Sequence, residues 1–245
     1  MSTPGSRRAR LNAALAGLGE RLERRTGLLL LGLAALLWGF LALAGRVMEG
    51  DTEALDRALL LMLRAPGNPA EPLGPRWVQE MGRDITALGG IAVLTLVTLA
   101  AAAFLALRRL WSAAALLAFS VAGGMLVSTL LKEAYERPRP DLVPHAAYVM
   151  TSSFPSGHSM MSAVVYLTLG ALLARVEPGR RVKVFLLGLA TVLTVLVGVS
   201  RVYLGVHWPT DVAAGWTLGA AWASLCWLLA RALQRRGQVG VDRGG

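Results

Sequence analysis

Long apolar runs, separated by short polar stretches, dominate this sequence. Six of them, residues 27–44, 86–107, 111–131, 159–174, 182–199 and 212–230, approach the roughly 20 residues that a helix needs to cross a bilayer. The runs are continuous rather than alternating, which speaks against transmembrane strands. Backbone groups in lipid must be paired within their own segment, so each run is expected to be a helix. The pattern predicts an all-α fold, a bundle of six transmembrane helices. Residues 1–26 read as a basic N-terminal segment, 27–232 as the six-span domain and 233–245 as a flexible C-terminal tail.

Two segments admit more than one reading. The first run ends in Ala42-Leu43-Ala44, which resembles a signal-peptidase site, but its leader is long for the basic region of a signal peptide. That length favours an uncleaved first span. Residues 51–64 have the period of an amphipathic helix, with Leu55, Leu59 and Met62 on one face and Asp56 and Arg57 off it. Such a helix lies in the membrane interface or forms a lid over a lipid entrance. Pro66, Pro69, Pro72 and Pro75 then speak against regular structure. Asp84 reads as an N-cap for the second span and Arg83 as an anchor among headgroups.

Composition confirms the membrane class. Apolar types make up 55% of residues and charged types 16%, and the mean hydropathy is +0.53. A soluble domain is excluded. The net charge of +10 is spread over short loops rather than gathered in one patch, so no nucleic-acid partner is expected. Cys226 is the single cysteine, and no intramolecular disulfide can form.

The charges also orient the chain. With six spans, the N-terminus, the second and fourth loops and the C-terminus share one side. That side carries 16 of the 25 basic residues and 4 of the 15 acidic ones, a net +12 against −2 for the other. The basic side is expected to be cytoplasmic, in a multi-pass protein of the cell (inner) membrane.

Three polar blocks at the ends of the spans carry candidate chemistry. Lys132 precedes Arg139-Pro140, and Pro138 and Pro140 stiffen the chain around Arg139. A guanidinium held in this way can bind two phosphoryl oxygens at once. Pro155-Ser156-Gly157-His158 opens the fourth run. Ser156 can cap the helix, Gly157 admits close approach of a ligand, and the free amides of the helix start favour an anion. His158 at that point can donate a proton to a leaving oxygen. Ser200-Arg201 ends the fifth run, and His207 and Asp211 begin the sixth. Four residues apart on one helical face, a carboxylate fixes the imidazole tautomer and stabilises its charged form.

Each block also has a structural reading: a snorkelling lysine, a loop arginine, a serine cap, an interfacial His–Asp pair. His145 has no comparable company and reads as exposed in its loop. No HExxH, paired cysteines or carboxylate cluster suggests a metal site.

Taken in order, K-x6-R-P, P-S-G-H and S-R-x5-H-x3-D match eleven specified positions. They resemble the signature of the type-2 phosphatidic-acid phosphatase superfamily, which includes bacterial lipid phosphatases and soluble vanadium haloperoxidases. The resemblance implies that His207 is a nucleophile that becomes phosphorylated, oriented by Asp211. It implies that His158 is the general acid and that Lys132, Arg139, Ser156, Gly157 and Arg201 bind phosphoryl oxygens. It implies no metal and no cofactor.

With the charge asymmetry, the active site is expected at the non-cytoplasmic face, open to the periplasm or exterior. The expected activity is hydrolysis of a lipid phosphate or diphosphate, of the phosphatidate, phosphatidylglycerophosphate or undecaprenyl diphosphate type. The lipid phosphate and the bilayer are the expected partners. Transfer of the phosphoryl group to an acceptor hydroxyl is the alternative that uses the same residues. The six apolar runs speak against a vanadate-dependent oxidase, and the intact motifs against a transporter with a degenerate site.

Overall fold

A computed structural model describes residues 4–141 and 152–235. His145 and the tail beyond residue 235 lie outside the described residues. The chain begins with α1 (Pro4–Met48), whose segment Thr26–Met48 is long and apolar enough to cross a membrane. Next come α2 (Glu53–Leu61), the short antiparallel strands β1 (Arg64–Ala65) and β2 (Asn68–Pro72), and α3 (Arg76–Ala87). The remaining helices are α4 (Ile91–Leu107), α5 (Trp111–Ala134), α6 (Gly157–Val176), α7 (Arg180–Tyr203) and α8 (Pro209–Arg235). Five of the described helices can span a membrane, or six if the bent pair α3 and α4 counts as one. The all-α architecture and span number therefore match the sequence pattern.

Three local expectations are corrected. The second span does not run unbroken from residue 86. The chain bends by 47° between α3 and α4, and Asp84 lies inside α3 rather than capping a helix. Gly90 is the N-cap of α4. The break has a packing cause at Gly89, where an added Cβ would sit 2.4 Å from Val197 Cγ1 and 3.3 Å from the His158 carbonyl oxygen. Any larger residue would push this turn off the start of α6. The proline-rich stretch is also not irregular. Pro66-Gly67 lies in the turn between β1 and β2, with Gly67 at φ +81°. A two-stranded ribbon is all edge, and edges tolerate proline. Finally, α8 continues through Arg235, three residues into the segment assigned to the tail.

α6 is the hub of the bundle, with 61% of its span buried. Apolar side chains on the other helices, among them Trp38, Leu96, Leu126 and Phe185, face outward, as lipid solvation requires. The contact between α6 and α8 is set by small residues, which let backbones approach closely. A Cβ on Gly215 would lie 2.7 Å from the Ser156 carbonyl oxygen, and one on Gly219 would lie 2.5 Å from that of Met160. α8 is thereby pressed against the first turns of α6, which brings the beginnings of two polar blocks together. Phe154 fixes the approach to α6. It is fully buried, stacks on Phe40 of α1 at 6.0 Å and meets Tyr135 edge-on at 5.2 Å.

Candidate active site

Alternating helix direction gathers the three blocks at one end of the bundle. The C-terminal ends of α5 and α7 bring Lys132 and Arg201, and the N-terminal ends of α6 and α8 bring Ser156-Gly157-His158 and Asp211. The segment after α5 supplies Arg139, and the link between α7 and α8 supplies His207.

His207 and Asp211 form the centre. Both are buried, and His207 Nδ1 lies 3.4 Å from Asp211 Oδ2. The other ring nitrogen, Nε2, is 3.2 Å from Arg139 Nη1. A guanidinium can only donate, so Nε2 accepts and the ring proton sits on Nδ1, towards the carboxylate. Burial, helped by the charges of Arg201 and Arg139, lowers the His207 pKa from 6.5 to about 4 against the opposing pull of Asp211. The ring is therefore neutral near pH 7, with a lone pair on Nε2.

Local helix chemistry explains the position of Asp211. With Pro209 at the first helical position, Asp211 is the third, and its Oδ2 reaches back to accept from the Trp208 N–H at 2.9 Å. That is half of a capping box. The same oxygen accepts a hydrogen bond from Ser153 Oγ. Asp211 Oδ1 takes a charge-assisted bond from Arg137 Nη1 at 2.6 Å. The peptide of Asp211 is tied down as well, because its carbonyl accepts from the Ser156 N–H at 3.0 Å. One hydrogen bond thus locks the start of α6 to the start of α8.

The cations converge on this dyad. Lys132 Nζ donates to the Ser152 carbonyl at 3.2 Å and lies along Gly157, where an added Cβ would come within 3.4 Å of its Cε. Arg139 Nη1 also donates to the Val206 carbonyl at 2.8 Å. Arg201 Nη1 donates to Thr86 Oγ1 at 3.0 Å, while its buried Nε has no partner among the described residues. An unpaired donor in a buried guanidinium is costly and is suited to an anion. Lys132, Arg139, Arg201 and His207 all act electrostatically on His158, so the second histidine belongs to the same cluster. Ser156 does cap α6: its Oγ accepts from the Ser159 N–H at 3.5 Å and the Ser159 hydroxyl at 3.0 Å. Helix geometry leaves the N–H groups of Gly157 and His158 without partners one turn back. Ser200 Oγ bonds the Val197 carbonyl at 2.7 Å within α7.

The fold thus brings together all eight site residues predicted from sequence: Lys132, Arg139, Ser156, Gly157, His158, Arg201, His207 and Asp211. Sequence reading missed Ser153, Arg137, Thr210 and Asp56, which bind the carboxylate or its arginine. Arg137 left a trace in the repeat Arg137-Pro138-Arg139-Pro140. Asp56 left a weaker one, as a lone acid off the apolar stripe of α2. Chemically, the arrangement offers a neutral imidazole backed by a carboxylate, three cations and a helix N-terminus. It can hold a phosphoryl group and attack it.

Comparison with known proteins agrees. The chain is 36% identical to phosphatidylglycerophosphatase B of Bacillus subtilis over 74% of its own length and 85% of that protein. It is 30% identical to lipid A 1-phosphatase of Rhizobium etli over 68% of its length and 76% of that relative. Its fold is similar to the crystal structure of a transmembrane PAP2-type phosphatidylglycerolphosphate phosphatase from Bacillus subtilis. That match has a TM-score of 0.68 at 30% identity, and covers 86% of this chain and 98% of the other. The profile of the PAP2 superfamily matches residues 113–235, which hold every predicted site residue, and this multi-pass membrane protein belongs to that superfamily.

Proposed function

We propose that the chain is an integral-membrane phosphatase that hydrolyses a lipid phosphate or diphosphate at the non-cytoplasmic face, without a metal, through a phosphohistidine on His207. The observation that carries this reading is the convergence of Lys132, Arg139 and Arg201 on one buried His207–Asp211 dyad. Membership of the superfamily and the lipid phosphatases among its relatives support it.

In the first step His207 Nε2 attacks phosphorus as the bond from phosphorus to the leaving oxygen breaks. The Nδ1 proton stays on the ring, and the imidazolium that develops is stabilised by Asp211. His158 protonates the departing oxygen. Lys132, Arg139, Arg201 and the amides at the start of α6 neutralise the phosphoryl oxygens, the work a divalent cation does in other phosphoryl-transfer sites. In the second step His158 takes a proton from water, the water oxygen attacks the phosphohistidine, and phosphate leaves with restoration of neutral His207.

The test is phosphate release by purified protein in detergent from phosphatidate, phosphatidylglycerophosphate and undecaprenyl diphosphate, with no acceptor alcohol present. His207→Ala is expected to abolish turnover and any acid-labile phosphoenzyme. Asp211→Asn is expected to lose on the order of 10⁴-fold, as when an orienting aspartate is neutralised elsewhere. Near wild-type turnover by His207→Ala overturns the reading.

A further inference from the structure

Asp56 is a carboxylate with no exposed surface on a helix whose other face is apolar and open. Leu55, Leu59 and Met62 of the α2 stripe are exposed at 56%, 40% and 72%, so the stripe faces outward and the acid faces inward. An ionised side chain is buried only if something pairs with it, and here the partner is Arg137. Its Nη2 donates to Asp56 Oδ2 at 2.6 Å, while its Nη1 donates to Asp211 Oδ1 at 2.6 Å. Thr210 closes the ring: its Oγ1 accepts from Arg137 Nη1 at 2.8 Å and donates to Asp56 Oδ2 at 2.6 Å. The Trp208 ring lies 5.7 Å from the Arg137 guanidinium carbon.

Asp56 has a structural task as well. Position 208, at the N-cap of α8, is a tryptophan without a capping oxygen. Asp56 Oδ1 substitutes for one by accepting from the Thr210 N–H at 2.9 Å.

We propose that Arg137 and Asp56 are positioning residues, a guanidinium bridge through which α2 sets both the aim and the effective charge of Asp211. This rests on the roles assigned above to His207 and Asp211. Arg137 alone would fix the carboxylate but cancel its charge, and with it the stabilisation of the imidazolium. Asp56 takes up the other half of the guanidinium. The Asp56–Arg137–Asp211 unit then carries one net negative charge, matched to the one positive charge that His207 develops. The bridge changes the transition state and leaves the phosphoryl-binding cations untouched, so its loss falls on kcat rather than on KM.

The experiment is a double-mutant cycle in full-length protein, with His207→Ala as reference and phosphatidylglycerophosphate as substrate. Asp56→Asn keeps a capping oxygen for Thr210, removes the charge, and puts an NH2 donor where Oδ2 accepted from Arg137 and the Thr210 hydroxyl. Arg137→Gln removes the bridge. Each single variant is expected to lose kcat on the order of 10²-fold, the scale of a misplaced catalytic group, with KM changed by less than about threefold. The unit's net charge becomes zero in Asp56→Asn and two negative in Arg137→Gln, but returns to one negative in the double variant. The double variant is therefore expected to turn over at least as well as the slower single. Wild-type kcat in either single, losses confined to KM, or losses that multiply in the double variant overturn the proposal. Should Arg137→Gln not fold, Arg137→Lys decides: it keeps a charge but loses the fork, so lowered kcat at unchanged KM supports the bridge and wild-type kcat overturns it. Turnover by His207→Ala would instead overturn the site reading itself, so the two failures are distinct.

Discussion

Arg139 Nη1 stands 3.2 Å from Nε2 of His207, so the cation faces the lone pair that would attack phosphorus. The contact forbids a proton on Nε2 and adds to the burial that lowers the imidazole pKa to about 4. ¹⁵N-histidine NMR can read this directly, because the chain has only three histidines and His207→Gln assigns the signal. The expected spectrum shows a neutral ring protonated at Nδ1 from pH 7 down to about pH 5. A titration at 6.5 or above would contradict it. Between 6.5 and about 4 the unfolded chain binds a proton that the folded chain does not. The contribution of His207 is thus fully present above 6.5 and is lost as pH falls towards 4.

His158 is predicted to matter unequally between substrates. Cleavage of a phosphomonoester expels an alkoxide that must be protonated as it departs, and a general acid typically contributes about 10²–10⁴-fold. Cleavage of a diphosphate expels a phosphate that spreads its own charge. His158→Ala should therefore slow hydrolysis of phosphatidate or phosphatidylglycerophosphate far more than that of undecaprenyl diphosphate, measured in one preparation. Equal losses would assign His158 to phosphate binding instead.

The proposal that Lys132, Arg139 and Arg201 do the work of a divalent ion makes a prediction about chelators. EDTA should leave hydrolysis intact. Vanadate should inhibit, because it adopts the five-coordinate geometry of the transition state and such mimics bind tightly. Activity abolished by EDTA and restored by magnesium would rule out this mechanism.

The asymmetry of +12 against −2 predicts the side on which the site opens. In a Cys226→Ser background, cysteines at Asp141, whose side chain is 73% exposed, and at Arg180 can be probed in cells with a membrane-impermeant thiol reagent. Labelling at 141 and not at 180 is expected. The reverse pattern inverts the topology.

Much of this protein is legible in one dimension. The hydrophobic runs determine six spans because backbone pairing in lipid leaves helices as the only open form. Their alternating direction then places motifs far apart in sequence at one membrane face. The three polar blocks proposed as the site stand out in the sequence for a related reason. Phosphoryl chemistry needs cations, an imidazole and a carboxylate, and an apolar chain has few other places for them.

What the sequence did not reveal depends on contacts between distant segments. The bend at Gly89 exists because α6 and α7 press on that turn, which no local propensity reports. Asp56 is 154 residues from Thr210 and 81 from Arg137. Its periodicity on α2 predicts an amphipathic helix equally well whether the acid faces water or the core. Only packing of α2 onto the start of α8 decides that it faces inward. Burial then makes an ion pair obligatory, and that pairing joins α2 to the Asp211 carboxylate.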